Sequence, residues 1–552
     1  MILNNEQKQA FNKIENFLKS KNKIFVLNGP AGTGKTTVIS QIFKDSKFCN
    51  KKIVLSATTN KAVSVIEQMS KEIFDNIDYS TIHKICNVKR KIDYDGVEYF
   101  NFEEKPVYNK NKKSIYNYDI IVIDEASMIN LDLLKYLYQI KNKIRGKLIF
   151  VGDTYQLPPV NENESKVFDF NYFDDSFLLN KIERFNSNIL NFSIRIRDCI
   201  DNKNPISLKG MKDDTFYIFK NETDWKNDYL KNYNIKNTFL AYTNKRCDYL
   251  NKYIRTNYFK RDNLPEFIEG ELIVFNNYYI NQDNLQEDKD AEKFYTSNTA
   301  LINSSDIIEY TLPIFPVKSF FNLKQSVSEY YKMKKKSTSK PSLKSEECPI
   351  CYDKITSVDN IIETDCKHVY CESCIRLWLE ENKTCPFCRM NIVDEKIVFN
   401  NDLLLTEKIE KLVELTNNKS FQVWKLVVST DVTTGTILVI KKEDKFPFQK
   451  YRDNIKYAIN DLKKYIYKNL KTVDNRFVLK KIWDYYYNYY IDFFADISYG
   501  YCITVHKSQG STFNNVYIDS KNILEFNRKD YINYKCLYTA ITRASKSVKM
   551  LI

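Results

Sequence analysis

The sequence predicts an α/β fold with parallel sheets, into which smaller modules are inserted. One observation behind this is a set of short apolar runs, each followed by polar residues, as expected of parallel strands buried on both faces. These runs are Ile24–Leu27, Ile53–Leu55, Ile120–Ile123 and Leu148–Val151. The other is that 7 of the 13 cysteines lie in the short segment from Cys348 to Cys388. The 552 residues have room for roughly three to four domains.

The composition is that of an ordinary folded protein, with 43% apolar and 28% charged residues. No apolar run approaches the ~18 residues of a membrane span, and the first residues lack the apolar core of a secretory signal. We therefore expect a soluble intracellular protein without a membrane partner, whose cysteines bind metal or do chemistry. The net charge of +14 favours a polyanionic partner. The alternative is the bias of an AT-rich genome, visible in 40 tyrosines against 11 glycines.

The first strand is followed by a phosphate-binding loop. Gly29 to Thr36 reads GPAGTGKT and matches the pattern G-x-x-x-x-G-K-T, and Thr37–Phe43 is predicted as the next helix. Small residues let backbone N–H groups surround phosphate oxygens, while Lys35 reaches the β- and γ-phosphates and Thr36 binds Mg²⁺. A chance loop match is the alternative, and the strand–loop–helix context favours the nucleotide. The predicted nucleotide-binding residues are Gly29, Gly32, Thr33, Gly34, Lys35, Thr36 and Thr37.

Two carboxylates follow the third apolar run, at the edge of the sheet where ligands bind. Asp124 is predicted to hold the Mg²⁺ and Glu125 to polarise the attacking water. An acidic helix cap is the alternative, and the nearby phosphate-binding loop disfavours it. The fourth run leads into Gly152–Pro159, which reads GDTYQLPP.

These segments resemble a known family. In this order, GPAGTGKTT, IVIDEASM and GDTYQLPPV resemble motifs I, II and III of the superfamily 1 helicases, while residues 501–512 and 537–544 resemble motifs V and VI. The nearest branch contains RecD and Dda, whose members move 5′ to 3′. The resemblance covers residues 1 to about 290 and about 490 to 552. It implies two RecA-like motor domains that use ATP and act on single-stranded DNA and DNA forks.

The resemblance also implies roles for single residues. Gln7 matches the glutamine that reads adenine, Gln156 the sensor of the γ-phosphate, and Gly510 joins the nucleotide site. Arg184 and Arg543 match arginine fingers of the second motor domain, where a guanidinium stabilises the charge of the transferred phosphoryl group.

The motifs on the opposite side of the motor imply contacts with single-stranded DNA, since short polar groups suit sequence-independent binding of phosphates and sugars. For His83 and His506 the alternative is a hydrogen-bonding role in the core. Thr58 departs from the family, which usually has proline there. The implied DNA-binding residues are Thr59, Asn60, Lys61, Thr81, His83, Thr504, His506, Lys507 and Ser508.

A hairpin is predicted within residues 88–118, between the motif that contains Thr81 and His83 and the carboxylate Asp124. Asp95-Gly96 stands between two alternating runs, which is a hairpin signal. Relatives carry a duplex-splitting pin at this position, and Tyr99, Phe100 or Phe102 is expected to stack on the fork.

The cysteine-rich segment has the spacing of a RING finger. Its eight ligands can saturate two tetrahedral Zn²⁺ ions, which makes the site structural; a redox role is the alternative. The interleaved RING pairing implies one ion on Cys348, Cys351, Cys371 and Cys374, and a second on Cys366, His368, Cys385 and Cys388.

In ubiquitin ligases a RING groove binds the conjugating enzyme. The matching positions are Ile350, Trp378 and Pro386, which are expected to form a shallow apolar groove. Arg389 matches the arginine that bridges ubiquitin and the conjugating enzyme. A docking knob without enzymatic function is the alternative.

The rest of the chain is predicted as linker and accessory structure. Residues 326–347 are expected to be a Lys/Ser-rich linker, 402–415 a helix, 421–441 the strands of an SH3-like barrel, and 448–494 two long helices. The expected domains are 1–175 (first motor domain, hairpin insertion 88–118), 176–290 with 490–552 (second motor domain), 291–345 with 390–489 (SH3-like and helical insertion) and 346–390 (RING finger).

The sequence thus predicts an ATP- and Mg²⁺-dependent DNA helicase, moving 5′ to 3′, with a two-zinc RING finger that acts as a ubiquitin-ligase module. Two alternatives stay open: a ubiquitin-ligase scaffold tethered to nucleic acid by its ATPase, and an RNA helicase. The intact Glu125, Gln156 and Arg543 favour a working motor. The AT-rich composition and the helicase–RING fusion suggest a large DNA virus, with the protein in the nucleus or a cytoplasmic viral factory.

Overall fold

The structure is a computed structural model. It describes residues 3–44, 50–70, 77–102, 113–182, 188–206, 214–261, 263–280, 292–317, 319–320, 348, 350–351, 361–364, 368–371, 374–375, 378–379, 384–390, 395–398, 401–469, 473–525 and 531–552. The predicted arginine finger Arg184, the predicted zinc ligand Cys366 and the expected linker 326–347 lie outside these residues.

The first motor domain is built on a six-stranded parallel sheet. Its strands are β1 Ile24–Asn28, β2 Ile53–Ala57, β3 Ile77–Thr81, β6 Ile120–Asp124, β7 Lys147–Gly152 and β8 Asp175–Leu178, in the order β3-β2-β6-β7-β1-β8. Its helices are α1 Asn5–Lys19, α2 Lys35–Lys44, α3 Asn60–Ser70, α4 Ile82–Ile85 and α5 Leu131–Ile140. All four predicted strands are confirmed.

Alternation along the strands explains the two layers of helices around this sheet. Ile24 and Val26 pack into the apolar cluster on one face, and Phe25 and Leu27 into the cluster on the other. Because successive side chains point to opposite faces, a continuous apolar run lets both faces be covered. The polar residues that follow each run therefore emerge together at the carboxyl edge of the sheet.

The second motor domain repeats this plan with a five-stranded parallel sheet. Its strands are β9 Phe216–Phe219, β10 Thr238–Ala241, β21 Cys502–Thr504, β22 Phe513–Asp519 and β23 Ala544–Leu551, in the order β21-β10-β22-β23-β9. Its helices are α6 Asn188–Asn202, α7 Glu222–Lys231, α8 Asn244–Phe259, α12 Ser520–Glu525 and α13 Ile532–Ile541.

The accessory insertion combines an antiparallel sheet with long helices. The strands are β11 Leu272–Phe275, β14 Thr299–Thr311, β18 Ser420–Ser429, β19 Thr434–Ile440 and β20 Ile497–Tyr499, in the order β19-β18-β14-β11-β20, with a side pair β12 Tyr279–Ile280 and β13 Lys293–Phe294. The helices are α9 Asn401–Thr416, α10 Lys442–Asn469 and α11 Val473–Tyr486. The predicted helices and strands of this region are confirmed.

The expected domain boundaries at residues 175, 290 and 490 need correction. The first sheet continues to Leu178, past residue 175, because β8 pairs in parallel with β1. β11 and β20 were expected within the second motor domain, but both pair in the accessory sheet. Their pairing partners are distant in sequence, so the local pattern of each strand does not reveal its sheet.

Two smaller β-structures complete the description. The predicted hairpin is present as β4 Lys89–Ile92 and β5 Glu98–Asn101, which pair antiparallel around Asp95-Gly96. The RING segment contains β15 Ile361–Thr364 and β16 Val369–Cys371. β17 Glu395–Val398, expected in the accessory insertion, pairs with β15 instead, in the order β16-β15-β17. Among the described helices, none has both the length and the apolar character that a bilayer crossing requires.

Candidate ATPase centre, nucleic-acid interface and zinc sites

The phosphate-binding loop lies between β1 and α2, as predicted. Gly32 and Gly34 have positive φ values of 85° and 81°, so the loop uses backbone conformations that glycine adopts without strain. Lys35 opens α2, and its Nζ donates to the carbonyl oxygens of Gly29, at 2.5 Å, and of Pro30, at 2.9 Å. The lysine thus lies across the loop, within reach of any phosphate held there.

Gln7 packs directly against this loop. Its Nε2 donates to the Thr33 carbonyl at 3.1 Å, and its Oε1 accepts from the Asn4 backbone N–H in a capping box that begins α1. A Cβ on Gly34 would clash with Gln7 Nε2 in this position, and the φ of 81° also favours glycine. These hydrogen bonds fix the Gln7 side chain beside the phosphate-binding loop, where the predicted contact with adenine would be made.

Asp124 ends β6 beside the same loop. Burial and the neighbouring Glu125 raise the pKa of Asp124 to about 6, while Lys35 and Arg543 oppose the shift. Thr36 and Asp124 line one small cavity, whose other walls are mostly apolar. The Thr36 hydroxyl and the Asp124 carboxylate are the oxygen donors there that fit Mg²⁺, which prefers hard oxygen ligands.

Glu125 follows in a left-handed conformation, with φ of 49°, and points into the cleft between the two motor domains. Arg543 reaches across from the end of α13, and its Nη1 lies 3.5 Å from Glu125 Oε1. Gln156 lies between them: in the amide orientation that satisfies both neighbours, it donates to Glu125 Oε2 at 3.0 Å and accepts from Arg543 Nη2 at 3.2 Å. The structure therefore brings three of the predicted catalytic residues together across the domain interface.

The DNA-binding candidates of the first motor domain lie at the ends of β2 and β3. Thr59 and Thr81 accept hydrogen bonds from backbone N–H groups at the starts of α3 and α4. Asn60 begins α3, and Lys61 lies with its Nζ 5.4 Å from the Phe513 ring centroid. Burial lowers the pKa of Lys61 to about 8, against the charge of Asp431.

The candidates of the second motor domain follow β21. Thr504 Oγ1 accepts from the Lys507 N–H at 3.4 Å, and Lys507 Nζ donates to Asn276 Oδ1 at 2.6 Å. Ser508 is buried and donates to the Val505 carbonyl at 2.7 Å. Because Ser508 already uses its hydroxyl inside the domain, it is the least accessible of these residues.

His506 is half-buried, in line with the core role that was its alternative, whereas the His83 side chain is exposed. Partial desolvation by the surrounding protein lowers the pKa of both His83 and His506, so both rings are neutral near pH 7. The His506 ring contacts Tyr242 with 5.8 Å between centroids. Any contact that these histidines make with DNA is therefore a hydrogen bond from a neutral ring, and not a charge pairing.

Gly510, predicted at the nucleotide site, lies against the DNA-side motif instead. A Cβ at this position would lie 3.1 Å from Ala62 Cβ and 3.2 Å from Thr59 Oγ1. With φ of 73°, it allows the two motor domains to approach closely. A direct contact with nucleotide stays a prediction for Gly510.

The hairpin is held by the accessory helices. Asp95 pairs with Lys463 at 3.0 Å and accepts from Tyr467 at 3.2 Å, while Gly96 packs flat against the Trp483 ring. Of the three aromatic candidates, Tyr99 and Phe100 are exposed. Phe102 stacks instead on Tyr136 of the first motor domain, at 4.7 Å between centroids, so it is not available to a DNA fork.

The zinc ligands group as the RING spacing implies. The Sγ atoms of Cys348, Cys351, Cys371 and Cys374 lie within 4.8 Å of one another, and the ligand atoms of His368, Cys385 and Cys388 form a second such group. Four thiolates at this separation can surround one Zn²⁺ at ~2.3 Å each. The residues therefore fit zinc, with Cys366 as the expected fourth ligand of the second site.

The predicted groove residues follow ligands of both zinc sites along the chain. Trp378 is partly exposed, and its indole N–H donates to the Thr384 carbonyl at 2.9 Å, which fixes the ring. Pro386 and Ile350 are half-buried, and Arg389 follows the last ligand with φ of 61°. Sequence reasoning missed Phe387 and Met390, which are 69% and 56% exposed on the same module. For Phe387 the sequence did contain a signal, because an apolar residue between the last two zinc-ligand cysteines, Cys385 and Cys388, is expected to be exposed.

Comparison with known proteins agrees with this geometry. Residues 12–162 match the AAA domain family, and residues 499–551 match the UvrD-like helicase C-terminal domain. Residues 346–389 match the Ring finger domain. The chain is a superfamily 1 helicase with an inserted RING finger.

Relatives of this helicase include viral and bacterial proteins. An uncharacterized protein of Acanthamoeba polyphaga mimivirus is 26% identical along the full length of both chains. The ATP-dependent DNA helicase dda of Enterobacteria phage T4 is 28% identical over 49% of this chain and 60% of its own. The RecBCD enzyme subunit RecD of Buchnera aphidicola is 28% identical over half of each chain. The match thus covers about half of the length of the T4 and Buchnera proteins. The mimivirus protein supports the expected viral origin.

Proposed function

We propose that this helicase is an ATP-dependent motor that translocates on single-stranded DNA, 5′ to 3′, and separates DNA duplexes at forks. The contact of Arg543 and Gln156 with Glu125 across the domain interface carries the proposal. A nucleotide-binding tether needs no residue of the second domain at the carboxylate that activates water. These contacts therefore favour a working motor over a passive scaffold.

The geometry indicates how each group would act on ATP. Backbone N–H groups of the phosphate-binding loop and Lys35 would hold the phosphates, and Thr36 with Asp124 would hold the Mg²⁺ that neutralises them. Glu125 would orient the attacking water, and Gln156 would keep the carboxylate turned toward it. Arg543 would stabilise the charge of the transferred phosphoryl group from the opposite domain.

Hydrolysis would then be coupled to movement along DNA. Because Glu125 and Arg543 belong to different domains, the complete site exists only when the domains are closed. The DNA-side residues Thr59, Lys61 and Lys507 also divide between the two domains, so opening and closing would move one set past the other. Unwinding of tailed duplexes tests both the activity and its direction.

DNA is favoured over RNA by the relatives, since the T4 and yeast proteins that match are named DNA helicases. The exposed Tyr99 and Phe100 on the braced hairpin are placed to meet a fork. In the cell we expect the protein wherever viral DNA is replicated, in the nucleus or a cytoplasmic viral factory.

We further propose that the RING finger recruits a ubiquitin-conjugating enzyme. Trp378 offers a partly exposed aromatic ring that its indole hydrogen bond holds in place, and Ile350 and Pro386 flank it in the RING pattern. Rigid aromatic anchors of this kind dominate the affinity of protein interfaces. The RING would accelerate transfer by holding the charged conjugating enzyme in a reactive geometry, without covalent chemistry of its own.

Trp378→Ala is expected to abolish binding of the conjugating enzyme, because truncating a central aromatic anchor costs ~2 kcal/mol or more, a loss of at least about 30-fold. Arg389→Ala should preserve binding and slow discharge of ubiquitin onto free lysine. The measurement uses the full-length protein with a panel of charged conjugating enzymes. Tyr457→Ala, which removes an exposed aromatic ring from α10, is the matched control and should change neither step. If the protein accelerates discharge from none of the conjugating enzymes, the RING is a docking module and the proposed ligase role is wrong.

A further inference from the structure

The loop that carries Gln156 is held by the second motor domain. This loop, Asp153–Pro159, is called the motif III loop below. The Leu157 N–H donates to Thr539 Oγ1 at 3.0 Å, and the Leu157 carbonyl accepts from Gln509 Nε2 at 3.1 Å. Lys535 Nζ donates to the Thr154 carbonyl at 2.9 Å. The loop follows β7 of the first motor domain, but these hydrogen bonds join it to the second motor domain.

Asp153, the first residue of this loop, joins three elements at one point. Tyr538 of α13 donates its hydroxyl to Asp153 Oδ2 at 2.7 Å. The backbone N–H of Ala31, inside the phosphate-binding loop, lies 3.0 Å from the same carboxylate oxygen and 3.2 Å from the Tyr538 oxygen. Both side chains are only 1% exposed. A buried triangle therefore connects the second motor domain to the phosphate-binding loop.

We propose that Asp153 and Tyr538 are a positioning pair that sets the phosphate-binding loop in its catalytic geometry only when the motor domains are closed. Neither residue needs to touch the substrate, because the pair acts through the Ala31 N–H. This inference rests on the ATPase cycle proposed above. In that cycle the pair couples docking of the second motor domain to the geometry of the phosphate-binding loop in the first. Arg543 supplies charge to the reaction, whereas this pair supplies alignment.

The surroundings of the pair support this role. Burial raises the pKa of Tyr538 well above its usual value, so the hydroxyl stays protonated and donates. Burial also raises the pKa of Asp153, and the charges of Lys35 and Arg197 and the Tyr538 hydrogen bond oppose that shift. Hydrogen bonds to a buried charged group are among the stronger ones in proteins. Opening of the domains would break the hydrogen bond from the Tyr538 hydroxyl to Asp153.

Tyr538→Phe isolates the hydroxyl. The ring packs in the core of the second motor domain and 6.1 Å from the Tyr155 ring, and phenylalanine keeps that packing. Loss of the hydrogen bond should lower kcat of DNA-stimulated ATP hydrolysis by at least about tenfold. KM for ATP should change by less than about twofold, because only the closed state is affected. The matched control is Tyr534→Phe, one turn earlier on α13, which removes a hydroxyl and also keeps its ring against that core.

A double-mutant cycle with Asp153→Asn tests whether the two residues act as a unit. If they do, adding Asp153→Asn to Tyr538→Phe should lower kcat by much less than it does in the wild-type protein. Additive losses, a kcat of Tyr538→Phe within about twofold of wild type, or an equal fall in Tyr534→Phe would each overturn the pair. In all three cases the wild-type ATPase remains intact, so the proposed function stands. Absence of DNA-stimulated hydrolysis in the wild-type protein would overturn both.

Discussion

Lys35→Ala and Glu125→Gln are each expected to lower DNA-stimulated ATP hydrolysis by at least about a hundredfold. The Lys35 ammonium lies across the phosphate-binding loop, and no neutral side chain can replace its charge on the phosphates. Glu125 contacts Gln156 and Arg543 at the cleft, and its amide counterpart cannot accept a proton from water. The measurement is steady-state ATP turnover with and without single-stranded DNA.

The two variants should differ in nucleotide binding. Glu125→Gln loses only the activation of water and should still bind ATP, while Lys35→Ala should bind it more weakly. Lys44→Ala at the exposed end of α2 and Glu269→Gln in the exposed turn before β11 are matched controls that should retain wild-type turnover. Near-normal turnover in Glu125→Gln would remove Glu125 from the catalytic centre.

The second large effect concerns the metal. The purified protein is expected to contain two zinc ions, and Cys385→Ser should retain one, because the four cysteines of the first site are separate from Cys385. A small module with little core depends on metal for its folding energy. Cys385 also contacts the buried Tyr370 hydroxyl at 3.0 Å, so its loss should unfold the part of the RING segment around the second site.

ATP turnover should be largely unchanged in Cys385→Ser, because the predicted catalytic residues all lie in the motor domains. Cys199→Ser is the matched control: its buried thiol donates to the Pro205 carbonyl, and a hydroxyl can do the same. The measurement is elemental analysis combined with limited proteolysis. A protein without zinc, or with iron in its place, would exclude the RING assignment.

Local signals predicted where the candidate ATPase residues lie in the fold. The apolar runs before Gly29 and Asp124 are strands because each buries both faces, and the residue types after them report phosphate and metal chemistry directly. The division of the zinc ligands into two groups was implied by the resemblance to RING fingers, and the described ligands are grouped in that way. The tyrosine-rich segment near residue 486 packs into the accessory core, where Tyr486 and Tyr490 are almost fully buried.

Tertiary contacts could not be predicted in this way. The Asp153–Tyr538 hydrogen bond joins residues 385 positions apart, and nothing in either local sequence names the partner. The same holds for Gly510, whose motif suggested nucleotide while its backbone packs against Ala62 of the other domain. Phe102 likewise stacks on Tyr136 because the hairpin folds back on the first motor domain. Tertiary packing, and not local pattern, decides these three positions.

The most direct test of the central claim is ATP-driven unwinding of four matched duplexes, DNA and RNA, each with a single-stranded tail at either the 5′ or the 3′ end. A motor that moves 5′ to 3′ on DNA loads on the tail and meets the duplex only when the tail is at the 5′ end. We expect rapid unwinding of the 5′-tailed DNA and little of the other three, with none in Glu125→Gln. Preferential unwinding of the 3′-tailed DNA or of RNA, or ATP hydrolysis without any unwinding, would contradict it.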